Sequence, residues 1–362
     1  MILFIFATLL HYFDFNMRFV LTILLIFVFQ MVNAQNFKLR SFLNGVQPGI
    51  KDTLFHINAL DGNSVDIPTT IIKGNQKGPT FTIIAGIHGM EYPTIMSLLD
   101  LRKEIDVKNL KGNLIIIPIV NVQSFYQRVP FVNPLDQLNL NRIFPGNNNG
   151  SITEVMATFL TEQVFEITDV LLDMHGGDVG EDLIPFICYY DNQEFKKQTE
   201  LAKKLSEISG FETVVSYPYV LPKEQPAMYA FKQAVRDGKT ALSIEIGKLG
   251  NWNDEEITLT KDAIYRMMNE LDMYKNEHLT QGAKVKARYN QQKYISVPVQ
   301  GVFYSHLKAG DYVEKNKEIG YITDLFGNKI ETIIAPESGI ILYKIGTPPV
   351  NKGETLFCIG LE

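Results

Sequence analysis

The stretch Phe81-Thr82-Ile83-Ile84-Ala85-Gly86-Ile87-His88-Gly89-Met90-Glu91 leads from a strand-like apolar run into a segment of helical character at 92–103. A His and a Glu three residues apart, where a buried strand gives way to a helix, can direct an imidazole nitrogen and a carboxylate oxygen at one point. Gly89 excludes the helix-borne His-Glu-x-x-His pattern, and Tyr92 excludes His-x-x-Glu-His. The stretch therefore predicts that His88 and Glu91 are two ligands of a zinc ion, with a third ligand elsewhere in the chain.

A second strand-like run, 170–174, ends on His175-Gly176-Gly177 and repeats the arrangement of a strand-end histidine before glycine. A single histidine in such a place is more often structural, but two of the six histidines in this chain occupy it. Zinc hydrolases commonly use three protein ligands and leave a fourth position for water, so we predict that His88, Glu91 and His175 hold one zinc ion. Asp173 shares a strand face with His175 and either hydrogen-bonds a ligand imidazole or is a solvent or capping carboxylate.

The run Ala241-Leu242-Ser243-Ile244-Glu245-Ile246-Gly247 reads as a buried strand with a single charge. A buried strand tolerates a charge poorly unless the charge is paired or functional. We therefore predict Glu245 as the general base and acid that activates water. A salt bridge to an arginine is the alternative.

Apolar runs and amphipathic segments alternate from 81 to 277, which is typical of an α/β domain with a largely parallel sheet. From about 281 the chain changes to short alternating strands separated by turns, without a helical pattern, which predicts a small all-β domain. We therefore predict a hydrolase domain at 35–280 and a β-barrel or sandwich-like domain at 281–362.

The long polar connection at 121–149 looks like an irregular but ordered binding loop, since it carries three prolines and several aromatic residues. Within it, the Arg142 guanidinium with the Asn141 amide beside it would suit a substrate carboxylate. This is weak evidence by itself, because most arginines are simply solvated.

The N-terminus predicts export. Met17-Arg18 precedes an apolar run at 19–31 and then Val32-Asn33-Ala34, so residues 1–34 are expected to be a signal region cleaved after Ala34. Either translation starts at Met17, which we favour, or the leader is unusually long. An uncleaved membrane anchor is the alternative, although the run falls short of the roughly 20 residues of a span. We expect a periplasmic or secreted protein with no stable membrane span after cleavage. The formal charge of −6 without a polybasic run argues against nucleic-acid partners.

Four motifs in order resemble the succinylglutamate desuccinylase/aspartoacylase family of zinc carboxypeptidase-like proteins. They are Gly86-x-His88-Gly-x-Glu91, Asn139-Leu-Asn141-Arg142-x-Phe-Pro-Gly146, Asp173-x-His175-Gly-Gly177 and Glu245-x-Gly247. The resemblance implies a three-layer α/β sandwich with a mixed central sheet and a small C-terminal all-β domain. It also implies that His88, Glu91 and His175 bind zinc, that Asn141 and Arg142 hold the substrate carboxylate, and that Glu245 activates water.

One departure from the family pattern concerns a further arginine, which the family often has a few residues before the Asn-Arg pair. Residues 131–138 contain none, and Arg128 would have to substitute through a shifted loop. The C-terminal domain also resembles biotinyl and lipoyl carriers around 335–339, but Lys344 lacks the flanking residues of a modified lysine.

The function implied is a zinc-dependent amidohydrolase that removes an acyl group from an N-acyl amino acid or related small amide by attack of zinc-bound water. A metallocarboxypeptidase acting on short or peptidoglycan-derived peptides and a non-catalytic binding protein are the alternatives. The expected partner is a small amide or short peptide with a free carboxylate, and homo-oligomerisation is left open.

Overall fold

The computed structural model describes residues 39–45, 47–276 and 279–361, and the chain divides into two compact units, Met1–Val46 and Gln47–Glu362. In the first unit the described residues form helix α1, Leu39–Gly45. The predicted signal sequence at 1–34 and the predicted start at Met17 lie outside the described residues. Across the described ranges, no helix combines the length and apolar character needed to cross a bilayer.

Among the described residues of the second unit, ten strands and six α-helices precede residue 290. The strands are β1 Gly49–Asn58, β2 Ser64–Lys73, β3 Gln76–Ala85, β4 Lys111–Ile117, β5 Val170–His175, β6 Glu181–Leu183, β7 Phe186–Asp191, β8 Thr213–Pro218, β9 Thr240–Glu245 and β10 Ala287–Tyr289. The helices are α2 Tyr92–Glu104, α3 Val122–Gln127, α4 Ile152–Phe159, α5 Lys196–Ile208, α6 Ala230–Arg236 and α7 Asp254–Glu270.

Nine of these strands form one mixed sheet in the order β1-β2-β4-β3-β5-β9-β7-β8-β10. The central strands β3, β5 and β9 run parallel to one another, whereas β7 is antiparallel to β9, and β1 and β2 are antiparallel. The predicted mixed central sheet is confirmed. Because β3, β5 and β9 are parallel neighbours, their carboxyl ends meet at one edge of the sheet.

Helices cover both faces of this sheet. Every residue of β5 is buried, as expected of a strand with a layer on each side. On one face, Leu98 of α2, Leu205 of α5 and Met267 of α7 share an apolar core with Leu172 and Ile244 of the sheet. On the other face, α6 packs through the ring of Phe231, which stacks on Tyr190 at 4.7 Å between centroids. The fold is therefore the predicted three-layer α/β sandwich.

Eight further strands form the C-terminal region. They are β11 Gln292–Ser296, β12 Gly301–Tyr304, β13 Tyr312–Val313, β14 Glu318–Thr323, β15 Lys329–Ile334, β16 Gly339–Ile345, β17 Pro349–Val350 and β18 Thr355–Gly360. One sheet has the order β11-β18-β16-β13, the other β15-β14-β12-β17, and their pairings are antiparallel. Apolar side chains such as Val297, Ile322 and Phe357 fill the space between the sheets. The predicted all-β region is confirmed.

Two strands cross the predicted boundary at 280. Strand β6 pairs with β16 in the C-terminal five-stranded sheet, and β10 adds to the main sheet beside β8. Residues 47–362 cluster as one compact unit, so the division into domains at 280 stays a prediction.

The connection at 121–149, which the sequence suggests is irregular, contains the short helix α3 and a 3-10 turn at Leu140–Arg142. Asn121 begins α3 because its side chain accepts a hydrogen bond from the backbone N–H of Ser124 at 3.2 Å. These local hydrogen bonds give the loop a defined course beside the strand ends.

Candidate metal centre and active site

The turn between β3 and α2 places His88 and Glu91 at the sheet edge. Gly86 has φ +66°, a left-handed backbone that glycine adopts without strain. A Cβ at Gly89 would lie 2.3 Å from the carbonyl carbon of Ser124, so only glycine fits where the turn meets α3. Glu91 is the N-cap residue of α2, and Pro93 occupies the first turn of that helix. The sequence of this turn thus fixes the direction of both side chains.

His175 lies at the carboxyl end of the neighbouring strand, β5. It pairs with Glu245 at the end of β9, while Ala85 at the end of β3 pairs with Met174. A Cβ at Gly176 would approach the carbonyl oxygen of Ile246 to 2.0 Å, so the chain can leave β5 only through glycine. The topology therefore brings together the three predicted ligands, which are far apart in the sequence.

The three side chains converge on one point. His88 Nδ1 lies 2.7 Å from Glu91 Oε1, and His175 Nδ1 lies 3.1 Å from Glu91 Oε2. One ligand atom from each of the three lies within 4.8 Å of the others, and all three residues are buried. Two imidazole nitrogens and a carboxylate in this arrangement match the donor set and spacing of a zinc site with an open coordination position. The residues therefore fit a metal ion.

Asn139 fixes the orientation of the first imidazole. Its side-chain oxygen accepts a hydrogen bond from His88 Nε2–H at 3.2 Å and another from the backbone N–H of Asn141 at 2.8 Å. Since that oxygen is an acceptor, Nε2 carries the ring proton and Nδ1 is left for a metal. The sequence assigned no role to Asn139. The sequence feature that could have pointed to it is the spacing of Asn139, two residues before Asn141, in the loop that reaches this edge.

The second imidazole lies against Asp173 and Asn141. Its Nε2 is 3.1 Å from Asp173 Oδ1 and 3.4 Å from Asn141 Nδ2. The approach of Asp173 lacks hydrogen-bond geometry, so within the described residues both oxygens of this fully buried carboxylate are without a hydrogen-bond partner. The backbone N–H of Ala230 donates to Asn141 Oδ1 at 2.9 Å, which ties the loop to the start of α6. Asp173 lies next to His175, and its predicted role in orienting that imidazole stays a prediction.

The electrostatics of the ligands favour a cation. Burial acts to raise the pKa of Glu91, but the charges of His88 and His175 outweigh burial and hold this pKa at about 2. Burial acts to lower the pKa of His175, but the Asp173 and Glu91 carboxylates raise it well above its usual value. Negative charge therefore surrounds His175, and a metal ion could replace the proton that it otherwise holds.

Glu245 lies beside the ligands at the end of β9, on the same sheet face as His175. Burial raises its pKa to about 8, with Glu91 and Asp173 adding to the shift and His175 opposing it. The structure shows no ion pair to an arginine, the predicted alternative, among residues 47–276 and 279–361. A carboxyl group with a pKa near neutrality can both accept and donate a proton.

The two arginines singled out from the sequence differ in their positions. Arg142 is exposed, donates from Nη1 to the Asn141 carbonyl at 2.7 Å and places its guanidinium 4.8 Å from the centroid of the Tyr229 ring. Arg128 is exposed at the end of α3 with φ 54°, and no ion pair or hydrogen bond of the described chain connects its side chain to the three ligands. The structure thus brings Arg142 next to the cluster through Asn141 and does not link Arg128 to it.

An aromatic ring borders the open side of the cluster. Phe131 packs its ring against His88 edge to face, with 5.9 Å between the ring centroids, and 51% of the residue is exposed. The sequence suggested only that this loop is rich in aromatic residues. The contact places an exposed apolar group at the mouth of the site.

The fold and the ligand geometry agree with a comparison against known protein families. A family model described as the succinylglutamate desuccinylase/aspartoacylase catalytic domain matches residues 77–271. The chain belongs to the succinylglutamate desuccinylase/aspartoacylase family. The matched residues include His88, Glu91, His175 and Glu245, and the resemblance noted from the four motifs is confirmed.

Among characterised relatives of this family, the chain is 27% identical over 332 residues to the N-alpha-acetyl-L-2,4-diaminobutyric acid deacetylase of Halomonas elongata. The match covers 87% of this chain and 92% of that protein. It therefore includes the C-terminal β-region as well as the catalytic domain.

Solved structures of other proteins share the fold. The product-bound structure of the ectoine utilisation protein EutE (DoeB) from Ruegeria pomeroyi gives a TM-score of 0.77 at 22% identity, over 88% of this chain and 97% of that one. A succinylglutamate desuccinylase/aspartoacylase from Rhodobacter sphaeroides gives 0.76 at 21% identity, over 87% and 96%. The α/β region and the C-terminal β-region of this chain are thus both part of the shared fold.

Proposed function

We propose that this protein is a zinc-dependent hydrolase that removes the acyl group from an N-acyl amino acid. The observation that carries the proposal is the convergence of His88 Nδ1, His175 Nδ1 and the Glu91 carboxylate beside Glu245. Family membership and the deacetylase of Halomonas elongata support a reaction at an amide bond. Export to the periplasm or beyond is part of the proposal and rests on the N-terminal sequence alone.

Zinc held by these three ligands would polarise an amide carbonyl and make water a nucleophile near neutral pH. Side chains of the protein would bind the substrate and transfer the proton. Arg142, with Asn141 fixed beneath it, would bind the substrate carboxylate and so place the amide against the ligands. Glu245 would accept a proton from the attacking water as the new C–O bond forms. It would then give that proton to the amide nitrogen as the C–N bond breaks, releasing a carboxylic acid and a free amino acid.

The first test is the release of free amine by the purified, zinc-loaded protein from N-acetyl, N-succinyl and N-aspartyl amino acids and from short peptides. We expect turnover of one or more N-acyl amino acids, and loss of that turnover after treatment with a chelator. Turnover of peptides alone would instead identify a carboxypeptidase. Absence of turnover across the panel with zinc bound would favour a binding protein.

Replacement of Glu245 tests the assignment of the proton carrier. Because Glu245→Gln keeps the shape of the side chain but cannot accept the proton, we expect turnover to fall by about 10²-fold to 10⁴-fold. The zinc content, measured by atomic absorption, should not change. Glu255→Gln, an exposed position at the start of α7, is the matched control and should retain full activity. Equal activity of Glu245→Gln and the wild type would remove Glu245 from the mechanism.

A further inference from the structure

A cavity of about 560 Å³ lies in the C-terminal region, apart from the residues of the metal centre. Its walls come from β12 and the three residues that follow it, from β14, and from the end of β16 with residues 346–348. Because β16 belongs to one sheet and β12 and β14 to the other, residues of both sheets line the cavity. Its volume is in the range of small-molecule sites.

Lys344 is a wall residue of this cavity, and it is only 6% exposed. Its ammonium group donates a hydrogen bond to the carbonyl of Ile345 at 2.6 Å. The same nitrogen lies 5.5 Å from the ring centroid of Phe303 and 6.0 Å from that of Phe357. An ammonium has three protons, so one hydrogen bond leaves two of them facing aromatic rings instead of hydrogen-bond acceptors.

No carboxylate pairs with Lys344 in the portion of the chain that the structure describes. Asp182, its partner in the β6–β16 pairing, instead lies 3.8 Å from Lys248 Nζ and accepts a hydrogen bond from the backbone N–H of Ala309 at 3.1 Å. Glu318, which also lines the cavity, is ion-paired with Lys329 at 3.1 Å. A buried amine without a carboxylate is costly, and burial lowers the pKa of Lys344 although Asp182 opposes the shift.

The remaining walls are largely apolar and aromatic. Phe303, Leu307, Ile319 and Pro348 line the cavity. Tyr304 and Tyr321 also line it, and their rings stack with 5.0 Å between centroids and an interplanar angle of 11°. A ligand that complements these walls would combine an apolar or aromatic body with one negative charge directed at Lys344.

We propose that this cavity binds a small monocarboxylate with an apolar or aromatic body, and that Lys344 is the residue that pairs with its carboxylate. The site is distinct from the carboxylate position proposed at Arg142. It does not depend on the hydrolase assignment. Covalent attachment of a cofactor is a poorer use of Lys344, because the side chain is buried within a strand and is not presented at a hairpin tip.

The experiment is calorimetric titration of the full zinc-loaded protein with phenylacetate, hexanoate and acetate. We expect saturable binding of phenylacetate or hexanoate, and binding at least about ten-fold weaker for phenylacetamide, which has the shape of phenylacetate without its charge. This comparison uses the wild-type protein and so does not depend on how a variant folds. No saturable binding of any acid, or equal binding of acid and amide, would overturn the proposal.

Two variants locate the site. Lys344→Met should weaken phenylacetate binding at least about ten-fold, while Arg142→Met should leave it unchanged. Lys315→Met removes an exposed lysine of the same region, ion-paired with Glu337, and is the control for charge alone. Lys344→Met should fold, since an apolar side chain of similar length replaces a buried amine. Loss of binding in Arg142→Met with retention in Lys344→Met would place the acid in the metal centre and refute the assignment.

Discussion

At the residue scale, the proposed metal centre depends on groups that the metal would not touch. The side-chain oxygen of Asn139 accepts a hydrogen bond from His88 Nε2–H, and Asp173 Oδ1 lies 3.1 Å from Nε2 of His175. Both contacts leave the Nδ1 atoms directed at Glu91. The sequence predicted the three ligands because His88 and His175 each stand at a strand end before glycine and Glu91 follows His88 by three residues. It gave no role to Asn139, because the distance between that loop and His88 is decided by tertiary structure.

Asn139→Ala should therefore weaken zinc binding by about 10-fold to 100-fold, since His88 would lose the partner that fixes its tautomer. Competition with a chromophoric chelator measures this affinity. Asn139→Asp keeps an acceptor oxygen at the same place and should retain most of the affinity. If the alanine variant binds zinc as tightly as the wild type, with an unchanged circular dichroism spectrum, His88 does not need this support.

The raised pKa of Glu245 has a consequence for the metal-free protein. Its folded-state pKa of about 8 lies above the ordinary value of 4.5, so between these two values the folded state holds a proton that the unfolded state has released. Stability should then fall as the pH rises through this window. Each pKa unit corresponds to about 1.4 kcal/mol, and the loss should amount to a few kcal/mol at most.

Urea denaturation of chelator-treated wild type and Glu245→Gln at about pH 5 and about pH 8.5 tests this sign. The glutamine variant cannot ionise, so its stability relative to the wild type should increase at the higher pH. The comparison isolates Glu245 because both proteins share every other titrating group. A difference that is the same at both pH values would mean that Glu245 titrates normally.

At the scale of elements, prediction succeeded where the local pattern determines the structure. The apolar runs near Phe81, Val170 and Thr240 became β3, β5 and β9, and the periodic segment after Glu91 became α2. No prediction covers β8, although Val214 and Val215 offered a short β-branched signal. Strand β6 could not be predicted, because Glu181 and Asp182 lack strand-like patterning and form a strand only through pairing with β16.

The cap of α7 gives an element-scale test. Asn253 accepts a hydrogen bond from the backbone N–H of Glu256 at 2.9 Å and so satisfies one free donor of the first turn. Asn253→Ala should destabilise the protein by about 1 kcal/mol in urea denaturation without changing turnover. Asn251→Ala, two residues earlier in the exposed loop, is the matched control and should be neutral. Equal stability of the two variants would show that the cap contributes nothing.

At the scale of the whole molecule, each of the two predicted domains contributes one strand to a sheet of the other. β6 leaves the catalytic region to join β16, and β10 leaves the C-terminal region to flank β8. The loop from Gly176 to Gly180, which follows the proposed ligand His175, is also attached to the C-terminal region, because the backbone N–H of Gly346 donates to the Gly180 carbonyl at 2.8 Å. The composition of the sequence does change near residue 281. Composition could not reveal, however, that strands on the two sides of this position pair with one another.

Removal of residues 281–362 should therefore abolish the activity of the remaining catalytic region. We expect the fragment 35–280 to be aggregated or loosely folded, because β8 loses its neighbour and the buried Leu183 loses its cover. Size-exclusion chromatography, thermal melting and zinc content measure the outcome. A monomeric fragment that melts cooperatively and binds zinc would show that the predicted domains fold independently.

The pairing of β6 with β16 also sets a sequence of events during synthesis. β6 emerges from the ribosome soon after His175, whereas its partner strand β16 emerges only after the intervening residues 184–338 have been made. Pairings between distant segments form late and slowly, and an unpaired strand is exposed until they do. The loop that follows His175 would thus gain its final support only after β16 has been synthesised. The residues around His175 would therefore reach their final arrangement well after their own synthesis and, if the protein is exported as proposed, after translocation.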